Sequence, residues 1–253
     1  MVDLARQSKV ERYFRVRLID ALVDIGDPAA IPWLCAALND GDRSVRASAF
    51  VAIGQIGDPR AVDPLIAWLN DPDDERRLLA NYVASQALGG IGDSRAVPSL
   101  IPLLQDANAT IRRHAVNALG DIADSAAAES LIAIRKDPDL DVRRCIIESL
   151  YALADERAMQ ELFQIAIDDA DPKLRLQAAG FISRTWKRET MPELLAFCQR
   201  VSDPGKTEIV RGLAQANDLD MLHALLRNDD VTIVSSVADG LAELRDKREL
   251  ISI

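Results

Sequence analysis

The sequence predicts an all-α protein in which helical hairpins stack into a right-handed α-solenoid. Two observations carry this prediction. Apolar residues make up 49% of the 253 residues but aromatic residues only 4%, a balance typical of helices that pack through Ala, Leu, Ile and Val. A corner motif also recurs along the chain, with amphipathic helices between its copies, and such an internal period is the signature of a repeat architecture.

The corner motif begins as Gly26-Asp27-Pro28 and keeps its aspartate at each later copy. The aspartates Asp27, Asp58, Asp93, Asp124 and Asp155 are 31, 35, 31 and 31 residues apart. Glycine can take the left-handed conformation that ends a helix, and aspartate can cap the next helix with its side-chain oxygen. Each corner is therefore predicted to close one helix and to open another.

An amphipathic helix is clearest between Asp106 and Asp124, where apolar residues recur at i, i+4, i+7, i+8 and i+11. A hairpin of this length cannot bury both of its faces alone, so neighbours must share a continuous core. We predict one domain over residues 1–253 with about eight hairpins, regular to about residue 170 and more irregular from 171 to 253. The second helix of each hairpin is predicted near residues 14–26, 44–57, 76–91, 110–123, 141–154, 173–186, 206–216 and 232–244. We call these the second helices.

Residues 72–79 make the third hairpin four residues longer than its neighbours. Two interpretations are open. The insertion forms either an additional helical turn or a binding loop at the edge of the solenoid.

Two tryptophans, Trp33 and Trp68, fall in first helices of the predicted hairpins. They are either packing residues or an aromatic surface for a partner protein, because tryptophan is enriched among interface anchors. The third tryptophan, Trp186, stands where a corner motif is expected.

The charge balance and the cysteines limit the possible partners and compartment. The net charge of −10 gives no general attraction to nucleic acid or to an anionic membrane. Cys35, Cys145 and Cys198 are odd in number and widely spaced, so a disulfide framework is not expected. No stretch approaches the roughly 18 apolar residues of a membrane span, and the sequence predicts a cytoplasmic protein.

No known catalytic motif is found in the sequence. It contains only two histidines, His114 and His223, and each is followed by alanine, so no histidine-rich metal centre is expected. A Gly-rich phosphate loop and a Cys-x-x-Cys pair are also absent. We therefore predict no bound metal and no resident cofactor, and the catalytic residues, if any, stay unknown.

Two stretches, VRASAFVAIGQIGDPRAVDPLIAWL and IRRHAVNALGDIAD, resemble HEAT repeats, and their short period is similar to the subgroup named after the phycobilisome lyases. The resemblance covers nearly the whole chain. It implies a structural ladder of turn aspartates, each followed six residues later by an arginine. The pairs are Asp40/Arg46, Asp106/Arg112, Asp137/Arg143 and Asp169/Arg175.

The resemblance also implies that the second helices line a concave groove, into which their third, fourth and seventh positions project. The predicted groove residues are Arg17, Tyr82, Gln86, Arg113, His114, Asn117, Arg144 and Glu148. Arg113 and Arg144 either bind carboxylates of a ligand or of an acidic partner, or are solvated residues paired with Glu148 and Asp121. His114 is either a proton donor in the groove or a hydrogen-bonded surface residue.

The resemblance leads to two hypotheses about function. The first is a protein-binding scaffold, a phycobilisome-related assembly, degradation or bilin-handling factor that holds an acidic partner or client protein in its groove. The alternative is a bilin lyase, or a lyase subunit, that attaches a phycobilin to a phycobiliprotein cysteine and binds the phycobilin transiently. The expected partner is a phycobiliprotein subunit or a second HEAT-like subunit, and nucleic acid is not expected.

Overall fold

The structure is a computed structural model that describes residues 2–69, 74–185, 200, 203–215, 222–223, 225–227 and 229–251. These residues form helices and turns without a strand, which confirms the predicted all-α class. The chain divides into two compact units, Met1–Leu153 and Ala154–Ile253. Each unit is described by itself, and the single continuous domain stays a prediction.

The first unit consists of a long helix followed by four helical hairpins. Its helices are α1 (Val2–Ile25), α2 (Ile31–Ala37), α3 (Arg43–Ile56), α4 (Val62–Leu69), α5 (Asp74–Ile91), α6 (Val97–Leu100), α7 (Ala109–Ile122), α8 (Ala128–Ala133) and α9 (Leu140–Leu153). Short 3₁₀ turns at Pro28–Ala30, Pro59–Ala61, Ser94–Ala96 and Ser125–Ala127 precede α2, α4, α6 and α8, and another, Ile101–Gln105, continues α6. The second helices of this unit are α1, α3, α5, α7 and α9.

The second unit contains α10 (Glu156–Asp168) and α11 (Pro172–Thr185), followed by helices at Asp203–Gln215 and Val231–Ile251. The predicted second helices agree with those observed to within a few residues, with two exceptions. The first begins at Val2 rather than near residue 14, because residues 2–13 contain no Gly or Pro to break it. The last continues to Ile251. Trp186 and Cys198 lie outside the described residues.

The corners have the predicted geometry. Gly57 and Gly92 end α3 and α5 with φ of +70° and +72°, and the aspartate after each accepts a hydrogen bond from the backbone N–H two residues later, as Asp58 does from Arg60 (2.8 Å). Ala123 ends α7 in the same left-handed conformation, at φ +55°. This conformation strains a residue that has a Cβ atom.

Exchanging residues at two corners should shift stability in opposite directions. Gly92→Ala adds a Cβ with no atom within 4 Å, so its cost is the left-handed backbone alone, while Ala123→Gly relieves the same strain. Glycine has more conformational entropy than alanine in the unfolded chain, and this offsets part of the strain energy. Each variant should therefore change the free energy of unfolding by about 0.5–1 kcal/mol. Urea unfolding of the two variants checks this expectation, and shifts of the same sign would contradict it.

Within the described residues, the insertion at residues 72–79 is part of helix α5. α5 has 18 residues, whereas α3, α7 and α9 each have 14. The additional residues from Asp74 onward therefore form an extra helical turn, and residues 70–73 lie outside the described residues.

The turn ladder is present. In each of the four pairs the arginine Nη1 donates to the carbonyl oxygen of the turn aspartate, at 2.7 Å for Arg46 and 2.8 Å for Arg112. Arg112 also reaches the next turn, where Nε and Nη2 donate to the two carboxylate oxygens of Asp137 at 2.7 and 2.8 Å. Its ladder position therefore ties one hairpin to the next.

Small residues let neighbouring second helices approach closely. A Cβ at Gly54 in α3 would lie 2.9 Å from the Ala87 Cα of α5, and a Cβ at Gly120 in α7 would lie 2.4 Å from the Ser149 Oγ of α9. Ser149 is buried and donates from Oγ to the Val116 carbonyl oxygen (2.9 Å). The second helices therefore form a tightly packed layer.

The two tryptophans of the first unit differ in environment. Trp68 is buried, and its ring meets that of Phe50 edge to face, with centroids 5.5 Å apart. Trp33 is exposed. Trp68 is thus a packing residue, while a partner-binding role for Trp33 stays a prediction.

Candidate functional site

Three predicted groove residues occupy equivalent positions on successive second helices of the first unit. Tyr82 on α5, Arg113 on α7 and Arg144 on α9 are each 31 residues apart. Tyr82 and Arg144 are exposed, and Arg113 is half-buried. We call these three residues the second-helix row.

One turn further along the same helices lies a polar set. Gln86 and Asn117 are exposed and Glu148 is half-buried. The third and seventh helix positions therefore reach solvent in α5, α7 and α9, as predicted.

The prediction for the fourth position was wrong in two helices. Val83 of α5 and Cys145 of α9 are buried, and His114 of α7 is half-buried, with a buried Nε2 atom that has no hydrogen-bond partner. The physical reason is the close helix spacing, because this position faces the preceding second helix. Burial also raises the pKa of the Cys145 thiol, which disfavours its reactive thiolate form.

His114 contacts the second-helix row through Tyr82. The two rings meet edge to face with centroids 4.4 Å apart. Burial, and then the positive charge of Arg113, lower the pKa of His114 below its usual value. The imidazole is therefore neutral at physiological pH, and it supports the Tyr82 ring by contact. Its role as a proton donor stays a prediction.

Arg113 and Arg144 differ in their partners. Arg144 pairs within its own helix with Asp141 (3.3 Å) and Glu148 (3.6 Å). It is therefore an ion-paired residue, as the second interpretation expected, with Asp141 as an additional partner. Asp141 was overlooked, although its i, i+3 spacing from Arg144 is a sequence signal for such a pair. Within the part of the chain that the structure describes, Arg113 forms no ion pair or hydrogen bond.

A polar pocket opens between α7 and α9 beside the row. Its volume is about 290 Å³, and its lining residues are Asn117, Gly120, Asp121, Glu148, Ser149 and Ala152. Partial burial raises the pKa of Asp121, and Asp121 has no ion pair with the described residues. Its expected pairing with Arg113 or Arg144 was wrong.

Arg17 is not part of this group. It lies on α1 beside another pocket, formed with α3, and it pairs with Asp20 at 3.2 Å. The second helix α3 lies between α1 and α5 in the layer, so the structure does not bring Arg17 to the second-helix row.

The described residues contain no group of three or more His, Cys, Asp or Glu side chains that could hold a metal ion. The described helices also include none that is long and apolar enough to cross a membrane.

Comparison with known families accounts for this architecture. A sequence profile of HEAT repeats matches residues 3–85 and 79–150, which is more than half of the chain. The chain belongs to the HEAT-repeat family. The ladder and the corners described above are thus features of its HEAT repeats, and a comparison with curated proteins finds no matching sequence.

Structures with TM-scores above 0.5 to this HEAT-repeat protein share its fold. The Escherichia coli protein YibA has a TM-score of 0.51 at 21% identity, over 88% of this chain and 85% of that one. A chain in a homology model of the AP-3 complex has a TM-score of 0.59 at 13% identity, over 89% of this chain and 47% of that one. The complex of CpcE and CpcF of phycocyanin lyase from Nostoc sp. PCC7120 gives 0.49 at 21% identity, over 91% and 88%.

Proposed function

We propose that this protein is a binding scaffold whose second-helix row holds an acidic segment of a partner protein. HEAT and related repeats build extended surfaces that are used for binding. The observation that carries the proposal is Arg113, a half-buried arginine without a carboxylate partner among the described residues.

A cation on a partly buried side chain is normally stabilised by an opposite charge beside it, which compensates for any hydration that it loses. Arg113 has no such compensation within the described chain, whereas Arg144, the next residue of the row, has two carboxylates. A carboxylate of a partner protein would form an ion pair with Arg113 through two parallel hydrogen bonds, a geometry that the planar guanidinium favours.

The neighbours of Arg113 suit a peptide rather than a bare anion. The exposed Tyr82 ring offers apolar surface with a hydroxyl at its tip, a combination enriched at protein interfaces. The exposed amides of Gln86 and Asn117 can both donate and accept hydrogen bonds, as a peptide backbone requires. The proposed site is therefore Arg113 flanked by Tyr82 and these amides.

Arg113→Glu should weaken binding of an acidic peptide about tenfold, because it replaces the available cation by a like charge. The measurement is fluorescence anisotropy of a labelled oligoglutamate peptide at low ionic strength, with oligolysine as the charge-reversed peptide. Arg144→Glu should have a smaller effect, since Arg144 is already paired.

Arg43→Glu is the matched control. Arg43 is exposed on α3, a helix that carries no residue of the row, and its replacement changes the net charge by the same amount. If Arg113→Glu and Arg43→Glu weaken binding equally, the long-range charge of the protein accounts for the effect and the site is wrong.

A second candidate function is the bilin lyase or bilin-handling factor that the family resemblance implies. One observation favours it: the edge-to-face rings of Tyr82 and His114 lie beside Arg113, so aromatic surface and a cation are both available to a planar ligand that carries carboxylates. Absorbance and fluorescence of phycocyanobilin, with and without a phycobiliprotein subunit, test this function. Unchanged spectra in both mixtures would reject it, and covalent transfer to the subunit would establish it over the scaffold.

A further inference from the structure

The N-terminal helix α1 carries an apolar stripe that the described residues leave open. Phe14, Leu18 and Ile25 are 67%, 48% and 70% exposed, and Ala21 between them is exposed as well. Tyr13 borders the stripe and contacts the Phe14 ring edge to face, with centroids 6.3 Å apart. These side chains follow i, i+4, i+7 and i+11, so they line one face of the helix.

The same face is a packing face in the next second helix. The equivalent residues of α3, 31 positions later, begin with Val45, Ala49 and Ala52, which are all buried. The stripe of α1 therefore has the composition of a helix contact but no partner among the described residues. A contiguous exposed apolar patch of this kind marks an interaction site.

The arrangement of the stripe is symmetric about its midpoint. Phe14 precedes Leu18 by four residues, and Ile25 follows Ala21 by four. When two copies of α1 pair antiparallel about that midpoint, Phe14 meets Ile25 of the second copy and Leu18 meets Ala21. Leu18 then lies opposite the small Ala21, which allows close packing at the centre of the pair, and Phe14 packs against Ile25 at each end.

The charges beside the stripe complement one another in the same arrangement. Arg17 and Asp24 are seven residues apart and therefore lie on the same side of the stripe. Arg17 is exposed, with its ion pair to Asp20 on the surface, and Asp24 is exposed without an ion pair to a described residue. Antiparallel pairing brings Arg17 within one turn of Asp24 of the second copy, twice by symmetry, and opposes the two helix dipoles.

We propose that α1 is a self-association surface, at which two copies of this chain pair antiparallel through Phe14, Leu18, Ala21 and Ile25. Self-complementarity of both the apolar stripe and the charges favours a second copy over an unrelated partner, because a two-fold interface must use the same patch on both sides. This surface is separate from the second-helix row.

Sedimentation velocity over a roughly hundredfold range of concentration tests the proposal by mass action. The wild type should form a dimer, and Leu18→Glu should abolish it. The control Leu140→Glu alters a residue on α9 that is equally exposed, 47% against 48%, and should leave the dimer intact. Circular dichroism should show unchanged helicity in both variants.

Mixing two charge variants tests the antiparallel register. Arg17→Asp and Asp24→Arg should each weaken the dimer about tenfold, since each places like charges opposite one another. An equimolar mixture should associate more tightly than either variant alone, because opposite charges face each other again. A monomeric wild type, a dimer that survives Leu18→Glu, or a mixture no tighter than its components would overturn the proposal.

Discussion

Arg112→Ala should lower the free energy of unfolding by about 3 kcal/mol, because removing one partner of a buried ion pair leaves the other charge uncompensated. The Arg112 and Asp137 side chains are only 12% and 5% exposed. They share two hydrogen bonds between consecutive hairpins. Urea unfolding followed by circular dichroism measures the loss.

Arg46→Ala is the matched control for this prediction. Arg46 donates to the carbonyl oxygens of Asp40 (2.7 Å) and Gly41 (3.2 Å) within its own turn. Its removal should cost about 1 kcal/mol, the usual net value of such hydrogen bonds. Equal losses in the two variants would show that the carboxylate contact of Arg112 adds nothing.

The same ion pair should make stability depend on pH. Burial by itself would raise the pKa of Asp137, but hydrogen bonds from Arg112 and from the Asp139 backbone N–H lower it below its usual value. A lowered pKa in the folded state stabilises the protein above the unfolded pKa, near 4, and that stability is lost as the pH falls through the folded value. In Arg112→Ala, the free energy of unfolding should therefore fall less on acidification than it does in the wild type.

Gly120→Ala should destabilise the protein by about 2–3 kcal/mol, because the new Cβ would lie 2.4 Å from the Ser149 Oγ and 3.0 Å from the Ser149 Cα. The two helices must separate, since only the hydroxyl could move without shifting backbone. The melting temperature and urea midpoint should both fall.

Two further variants separate this clash from the general effect of an added methyl group. Gly41→Ala places a Cβ where no atom lies within 4 Å, and it should leave stability nearly unchanged. Ser149→Gly combined with Gly120→Ala should recover part of the loss, since it removes the closest atoms. A double variant as unstable as the sum of its single changes would contradict the clash.

Most of the local structure follows from the sequence because it depends on neighbours in the chain. The corner aspartates cap within two or three residues, and Arg46 reaches a carbonyl only six residues away. The outward direction of Arg113 and Asn117 follows from helical periodicity alone. These features require no knowledge of how one hairpin sits on the next.

Features that depend on the spacing between hairpins were not predictable in the same way. Val83 and Cys145 are buried because the preceding second helix lies close to them, and the small residues that permit this are an ambiguous signal in a sequence rich in Ala and Gly. The choice of Arg144 between Glu148, Asp141 and a ligand also depends on side-chain geometry. The reach of Arg112 to Asp137 requires the next turn to be in place.

The second helices that carry the row approach closely at Gly89, where a Cβ would lie 3.1 Å from the Ala118 Cα, and at Gly120. This approach sets the distance between successive row residues, and so the spacing of the ligand groups that they could contact. Helices that touch through glycine lie toward the lower end of the roughly 8–10 Å range of helix spacings. A polyproline II segment advances about 9 Å in three residues, so its every third side chain would meet Tyr82, Arg113 and Arg144 in turn. A partner bound along this row would therefore carry its recognised residues at i, i+3 and i+6, with the acidic one in the middle.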